Sequence, residues 1–581
     1  MTSEPAPTSS PRQHLWFAAV VAALTFGCFW PAIAADFVLW DDDVNLFENP
    51  HIRGLTADNL RWMFTDLAQT LRCKPLNWLA WATIYEVAGL KPAAFHLANV
   101  LLHSINAGLA YVLFAGLLGA RGGAVPVVRT RLCAAAGALA WSLHPLRVEP
   151  VAWATGLPYD LALLFALASA ALYWRFATGP AGLRAGESWA YRGALVCYLL
   201  ALLTYPIILG LSVVPVVMDW WLARQRGRPA PLLRVRHWPF LVGAALLVGM
   251  NLLGRLTPNT IYVEAAPLAN FSALDRAMQG CFIWAYFLVR HIWTAGLSVV
   301  YYDLVGFNSL SWPFLASGGF VVLASAVLFR WRQRWPALWL VWVCHLIWLV
   351  PVLGLTESQH SPADRYTYAS GLLVGLLVAM GLHCLAAAER WRLGLMGAGA
   401  GLALFALQSS LLIPVWHDSG RLFRHVLALL EKDEHRSIVW GRLGHWHLLR
   451  NELAEATFAF QQALPGARDR PDLHLRIACA LQEQGRFPDA LPHFEIALSA
   501  GRLTDEFMGD YGIAMVAVGR LDAAEKQFAE AVRLAPGKAR HRRNWALTLK
   551  RLGRDPEAAA QEAAAQQLTT PARPDGQQPP R

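Results

Sequence analysis

The sequence predicts an all-α protein in two parts: a helix bundle that crosses a membrane about eleven times, then a soluble array of stacked helical hairpins. Three observations predict it. Of the 581 residues, 56% are hydrophobic and 15% charged, against roughly 25% charged in an ordinary soluble domain. Charges are sparse from about 14 to 417 and dense afterwards. From about 437 a 34-residue spacing repeats. The expected organisation is a cytoplasmic tail over 1–13, a membrane domain over 14–417 with an outer loop at 36–95, a repeat domain over 418–570, and a disordered Pro- and Gln-rich tail over 571–581.

The membrane segments follow in order. The run 15–35 is long enough to span and reads as an uncleaved first helix, although Ala32-Ile33-Ala34 resembles a signal cleavage site. Segments 96–118, 131–148 and 157–174 come next. The run 193–222 reads as two short helices hinged at Tyr205-Pro206, because proline breaks the hydrogen-bond ladder. Segments 238–254, 311–329, 336–354, 367–387 and 393–415 complete the set. The run 278–297 carries Arg290 and His291 and is expected to lie at the interface rather than cross.

Arginines mark the inside loops: Arg12; Arg121, Arg129 and Arg131; Arg175, Arg184 and Arg192; Arg224 to Arg236; Arg330 to Arg334; Arg390 and Arg392. An odd number of crossings then puts the repeat domain opposite the cytoplasm. The net charge of +10 is accounted for by this loop bias, so no nucleic-acid partner is expected. The eight cysteines have no metal-ligand spacing and read as small buried hydrophobes.

In the last quarter Gly485, Gly519 and Gly553 are 34 apart, as are Ala490, Ala524 and Ala558. Phe494 pairs with Phe528 and Ala497 with Ala531. One period earlier stand Asn451, Ala456, Phe460 and Ala463. Glycine, or asparagine in its place, supplies a left-handed turn, and alanine lets paired helices approach. This is the tetratricopeptide (TPR) pattern. Stacked TPRs form a concave groove suited to an extended peptide; a rigid spacer is the plainer alternative.

Three polar clusters could carry chemistry. Asp41, Asp42 and Asp43 follow the first membrane exit. Adjacent carboxylates near a bilayer are costly unless used, as a general base or for a cation. His144, Arg147 and Glu149 lie in the outside turn after the third helix, and Asp364, Arg365 and Tyr366 in a late outside loop. Parity puts all three on one side. Arginine suits bidentate phosphate binding. On α-helical spacing His96, Asn99, His103 and Asn106 share one face and read as interhelical hydrogen-bonding groups.

The ordered set Trp40-Asp41-Asp42-Asp43 with Asn49-Pro50, then Phe95-His96-Leu97-Ala98-Asn99 with His103-Ser104-Ile105-Asn106, then His144 through Trp153, then Ala363 through Tyr368, resembles the transmembrane-and-TPR O-mannosyltransferase family and its bacterial relatives. The resemblance covers nearly the whole chain. It implies a GT-C-type membrane fold and an inverting glycosyltransferase. The donor would be a polyprenyl-phosphate-linked sugar, usually mannose, and the acceptor a Ser or Thr hydroxyl of an exported protein recruited through the TPR groove. A divalent metal is left open. The implied roles are catalysis by Asp42, Asp41 and Glu149, with Asp42 first choice as base; donor-phosphate binding by Arg365, Lys74 and Arg147; and orientation by Asp43, His144, Asp364 and Tyr366. Heavy use of Ala, Arg and Gly hints at a bacterium; parity would then put the site and the TPRs on the periplasmic side of the inner membrane. The chain departs from the family at Cys73-Lys74-Pro75, where lysine keeps the charge of the relatives' arginine but loses its fork, and at Gly156 to Asp160 and Leu203 to Pro206, where relatives carry more charge. Two other classes compete: an O-antigen-ligase-like transferase, and a non-enzymatic TPR membrane scaffold.

Overall fold

The computed structural model describes residues 11–66, 73–120, 125–179, 188–228, 233–255, 272–299, 308–355, 362–430, 435–466, 470–499, 501 and 504–569. Most of the predicted N-terminal tail, Arg121, Arg184 and the predicted tail 571–581 lie outside the described residues. Every regular element among the described residues is helical. The chain forms two compact units, Met1–Leu429 and Leu430–Arg581.

The first unit opens with α1 (Pro11–Phe29), the short α2 (Ala57–Thr65) and α3 (Pro75–Ala88), and the long α4 (Pro92–Gly119). Then come α5 (Val127–Ser142), the single turn α6 (Val148–Ala152), α7 (Leu157–Thr178), α8 (Trp189–Thr204), α9 (Val214–Gln225) and α10 (Trp238–Arg255). The unit closes with α11 (Ala273–Arg290), α12 (Trp312–Arg330), α13 (Pro336–Leu349), α14 (Gly371–Ala387), α15 (Trp391–Leu412) and α16 (Ser419–Leu429).

Among the described residues, seven helical stretches are long and apolar enough to cross a membrane: Arg12–Ala34, Pro92–Gly119, Ala154–Thr178, Pro206–Gln225, Val235–Leu253, Trp312–Arg330 and Trp391–Trp416. Trp189–Thr204, Pro336–Val352 and Gly371–Ala387 are apolar but shorter. The sequence counted α5 as a crossing, but it has only 16 residues, with Arg129 and Arg131 near its start. Length and composition thus support seven of the expected crossings. At the expected hinge, α8 stops at Thr204, Tyr205 is extended (φ −159°), and a 3₁₀ stretch runs from Pro206 to Val213. Proline disfavours helix in the residue before it and removes one donor, which breaks the rod there.

Small residues set the packing. A Cβ on Gly137 of α5 would lie 2.5 Å from the Gly375 carbonyl of α14, and one on Gly375 2.6 Å from the Gly137 carbonyl. Only glycine at both positions lets these backbones touch, the close approach typical of membrane helix pairs. The buried face of α4 carries His96, Asn99, His103 and Asn106, all nearly inaccessible. Each bonds to a neighbouring segment. His96 reaches the Asp36 carbonyl (3.3 Å) and Asn99 the Trp153 carbonyl (2.7 Å). His103 reaches the Ser142 carbonyl (3.0 Å) and Asn106 the Asp160 carbonyl (2.8 Å).

The composition change at 418 is not where the units divide. Helix α16 belongs to the first unit, with Leu422, Phe423 and Val426 buried. Its Ser419 hydroxyl accepts the Leu39 N–H (2.9 Å), and Phe423 packs on Trp40. An amphipathic helix follows its apolar face, so a rise in charge density does not by itself release it from the bundle.

The second unit is four helix pairs: α17 (His435–Leu449) with α18 (Leu453–Ala463), α19 (Pro471–Glu483) with α20 (Phe487–Ser499), α21 (Asp505–Ala517) with α22 (Leu521–Leu534), and α23 (Ala539–Arg551) with α24 (Asp555–Thr569). Asn451, Gly485, Gly519 and Gly553 all turn left-handed, at φ of 59°, 74°, 81° and 76°. Phe460, Phe494 and Phe528 are fully buried. A second small-residue series, Gly444, Ala478, Gly512 and Ala546, has the same spacing. It seats those rings: a Cβ on Gly444 would be 2.6 Å from Phe460, and one on Gly512 2.8 Å from Phe528. In the last pair the ring position is occupied by Glu562, as expected of a terminal repeat whose outer face meets water.

Candidate functional site

The three polar clusters meet at one end of the first unit, around Trp153. Its indole N–H donates to the Trp40 carbonyl (2.9 Å), next to the acidic triplet. Its ring lies 5.3 Å from the Arg365 guanidinium carbon, and Tyr366 covers the same guanidinium at 5.0 Å. Glu149 accepts the Arg365 backbone N–H (2.9 Å) and pairs with its side chain. One residue beyond Trp153, the Ala154–Gly156 turn brings the Thr155 N–H to Asp42 Oδ1 (3.0 Å). Trp40-Asp41-Asp42, Glu149 and Arg365 therefore share one wall.

The electrostatics separate the roles. Glu149 is buried, whereas the Arg365 side chain keeps 16% of its surface. Burial opposes the guanidinium's charge, but Glu149 beside it outweighs burial and holds Arg365 protonated. A small cleft lies in front of Glu149 and Asp364, bounded by Ser298, Trp416, Leu422 and His425.

Asp42, the first choice for a base, is fully buried. Its Oδ2 accepts the Val38 N–H (2.8 Å) while Oδ1 takes that of Thr155. Burial pushes its pKa up to about 8 against these donors. As placed, Asp42 is a buried tie between the segment after α1 and the turn before α7, with no open face toward an acceptor. Asp41 has the opposite character. It is half-buried, and its carboxylate takes no partner among the described residues. Its backbone is left-handed (φ 72°), held by the Asn45 N–H and side-chain amide, both 2.9 Å from the Asp41 carbonyl. A non-glycine residue held there stores strain of order 1 kcal/mol. Asp43 is half-buried, with one carboxylate oxygen enclosed and unpartnered.

Three of the expected site residues face elsewhere. Arg147 is turned inward, fully buried, donating to the Thr367 carbonyl (2.7 Å) and hydroxyl (2.9 Å). Gly371 leaves it room, since a Cβ there would lie 2.8 Å from the guanidinium. Burial pulls Arg147 down to about 10, so it stays cationic, but it has no open edge for a donor phosphate. His144 is also committed. Its Nδ1 accepts the Leu146 N–H (3.2 Å) and its Nε2–H donates to the His291 carbonyl (3.1 Å). Burial drops its pKa to about 3, so it is neutral and clasps the end of α11. Lys74 is enclosed by Trp78 (4.1 Å) and Trp81 (5.2 Å), in an outer-loop core that shares Ala154 with the site wall.

A group the sequence reading did not assemble lies behind the wall. The Tyr368 hydroxyl donates to Asp160 and lies 2.7 Å from His103 Nδ1 and 3.4 Å from the Asn106 amide. The Trp141 indole holds the Tyr368 carbonyl (2.9 Å). This fully buried cluster fixes the loop bearing Arg365 and Tyr366 to α4, α5 and α7. The spacing on α4 pointed to polar partners but could not name them. Among the described residues no three His, Cys, Asp or Glu side chains converge as a metal site.

No family model matches the chain, and no curated protein matches it. Solved TPR structures do. YrrB, described as a TPR protein with an unusual peptide-binding site, is 21% identical over 26% of this chain and 76% of its own, with a TM-score of 0.25. MamA from Desulfovibrio magneticus RS-1 is 16% identical over 26% and 83%, also at 0.25. MamA of MSR-1 is 18% identical over 26% and 85%, at 0.24. The TPR assignment of the second unit rests on its four helix pairs and their 34-residue register.

Proposed function

We propose that this protein is a membrane glycosyltransferase, moving a sugar from a polyprenyl-phosphate donor to a Ser or Thr hydroxyl of an exported protein. The observation that carries the reading is the joint placement, on Trp153, of a charged and partly open guanidinium and the segment bearing an unpartnered carboxylate. Arg365, backed by Glu149 and walled by two aromatic rings, is suited to a phosphate monoanion at the bilayer surface. Asp41 takes over the base role from the buried Asp42.

In the proposed step Asp41 accepts the proton of the acceptor hydroxyl, and that oxygen bonds to the anomeric carbon from the face opposite the phosphate. The bond from that carbon to the phosphate oxygen breaks, and its electron pair leaves with the polyprenyl phosphate. Arg365 stabilises the charge that develops there. The configuration at carbon inverts. Mannose, about eleven crossings, the periplasmic site and TPR domain, and acceptor recruitment by the TPR groove belong to this same reading.

The test is transfer of radiolabelled mannose from polyprenyl-phosphate mannose into protein, in membranes containing the protein or its Asp41→Asn variant. Transfer that depends on the protein and falls in the variant supports the reading. Equal transfer with and without the protein, for mannose and for glucose donors, overturns it in favour of a scaffold.

A further inference from the structure

A second cavity lies inside the first unit and runs toward its Arg-rich end. It has a volume of about 130 Å³ and lies between α4, α7, α9, α13 and α14. The lining is hydrocarbon: Leu117, Ala166, Leu211, Trp221, Leu340 and Leu376 are representative. On α4 it begins at Leu113, whereas Asn99 bonds to Trp153 at the site wall. Fourteen residues at 1.5 Å per residue put these two points about 20 Å apart along α4, whereas on α14 the lining reaches Leu372, next to the Gly371 that seats Arg147.

An apolar cavity does not hold water, and protein interiors leave few voids larger than a water molecule. Between membrane helices the filling material is lipid hydrocarbon. The rim specifies which lipid. Trp221 lines the cavity, and Arg224 stands one turn further along α9. Arg224 donates to the Gln333 side chain (3.1 Å) and carbonyl (3.0 Å), which ties the end of α9 to the turn that carries Arg334. Ala337, three residues after Arg334, lines the cavity again. Neither arginine has a carboxylate partner among the described residues. Trp220 and Trp331 pack on these guanidinium groups, as interfacial aromatics do at headgroup depth.

We propose that this cavity takes part of one acyl chain of an anionic phospholipid of the leaflet on the Arg-rich side, with the lipid phosphate held between Arg224 and Arg334. The proposal does not rest on sugar transfer.

The experiment is native mass spectrometry of the full-length protein, extracted in mild detergent and then titrated with phosphatidylglycerol or phosphatidylethanolamine. The wild type is expected to carry one phospholipid per chain and to prefer phosphatidylglycerol. The Arg224→Gln, Arg334→Gln double variant is expected to keep the lipid and lose the preference, by about fivefold per arginine. Ala337→Phe, which fills part of the cavity, is expected to lose the lipid at an unchanged unfolding temperature. No stoichiometric phospholipid, equal affinity for both lipids in the wild type, or displacement by polyprenyl phosphate would each overturn the assignment. The last would give the cavity to the donor chain.

Discussion

Glu149 holds Arg365 twice, by its backbone N–H and by its guanidinium. The first bond fixes the loop and the second keeps the cation charged. Removing one partner leaves the other buried and uncompensated, at a cost of about 3–5 kcal/mol. Glu149→Gln should lower the unfolding temperature in detergent as well as sugar transfer. Arg365→Lys keeps the charge but loses the fork, so transfer should fall about 10²-fold with a smaller stability loss. Equal transfer by Arg365→Lys and wild type would take the phosphate role from Arg365.

Asp41 and Asp42 should separate cleanly. Asparagine tolerates the left-handed backbone at position 41, so Asp41→Asn should unfold with the wild type. Its sugar transfer should fall by 10²- to 10⁴-fold, the range for loss of a general base. An Asp41→Asn protein with full transfer would end the base assignment.

The raised pKa of Asp42 carries a pH signature. The folded carboxyl titrates at about 8 and the ordinary value is 3.8. Between these the folded state binds the extra proton, so this group's contribution makes stability fall as pH rises from roughly 4 to 8. Asp42→Asn should flatten that slope, gaining most at the alkaline end. Unfolding temperatures measured at pH 5 and pH 8 test this, and an identical slope in both proteins would assign it elsewhere.

Tyr368→Phe deletes the hydroxyl between Asp160 and His103. Buried polar groups stripped of a partner cost about 1–3 kcal/mol. The variant should unfold at lower temperature, and its Arg365 loop should be cut faster by protease. Unchanged proteolysis would show that the cluster does not anchor that loop.

In the TPR unit, Gly519→Ala puts a Cβ on a left-handed turn (φ 81°), costing about 1–2 kcal/mol. Asn451→Gly at the equivalent turn should be neutral within a few tenths. Paired unfolding scans compare the two, and equal effects would contradict a shared register.

The sequence by itself determined what depends on spacing and composition. The 34-residue period located the four left-handed turns and their buried rings, because a repeat states its packing rule several times over. Apolar length located seven helices long enough to cross a membrane, and Pro206 the break after α8. The one-face spacing on α4 foretold polar bonding between helices. Tertiary structure alone decided which carboxylate of Asp41–Asp43 is open, since burial depends on where Thr155 sits, more than a hundred residues away. It also decided that Arg147 and His144 face inward while Arg365 keeps an exposed edge, and that α16 stays with the first unit. Side-chain direction in irregular turns follows from the partners that surround it, and those partners come together only when the bundle packs.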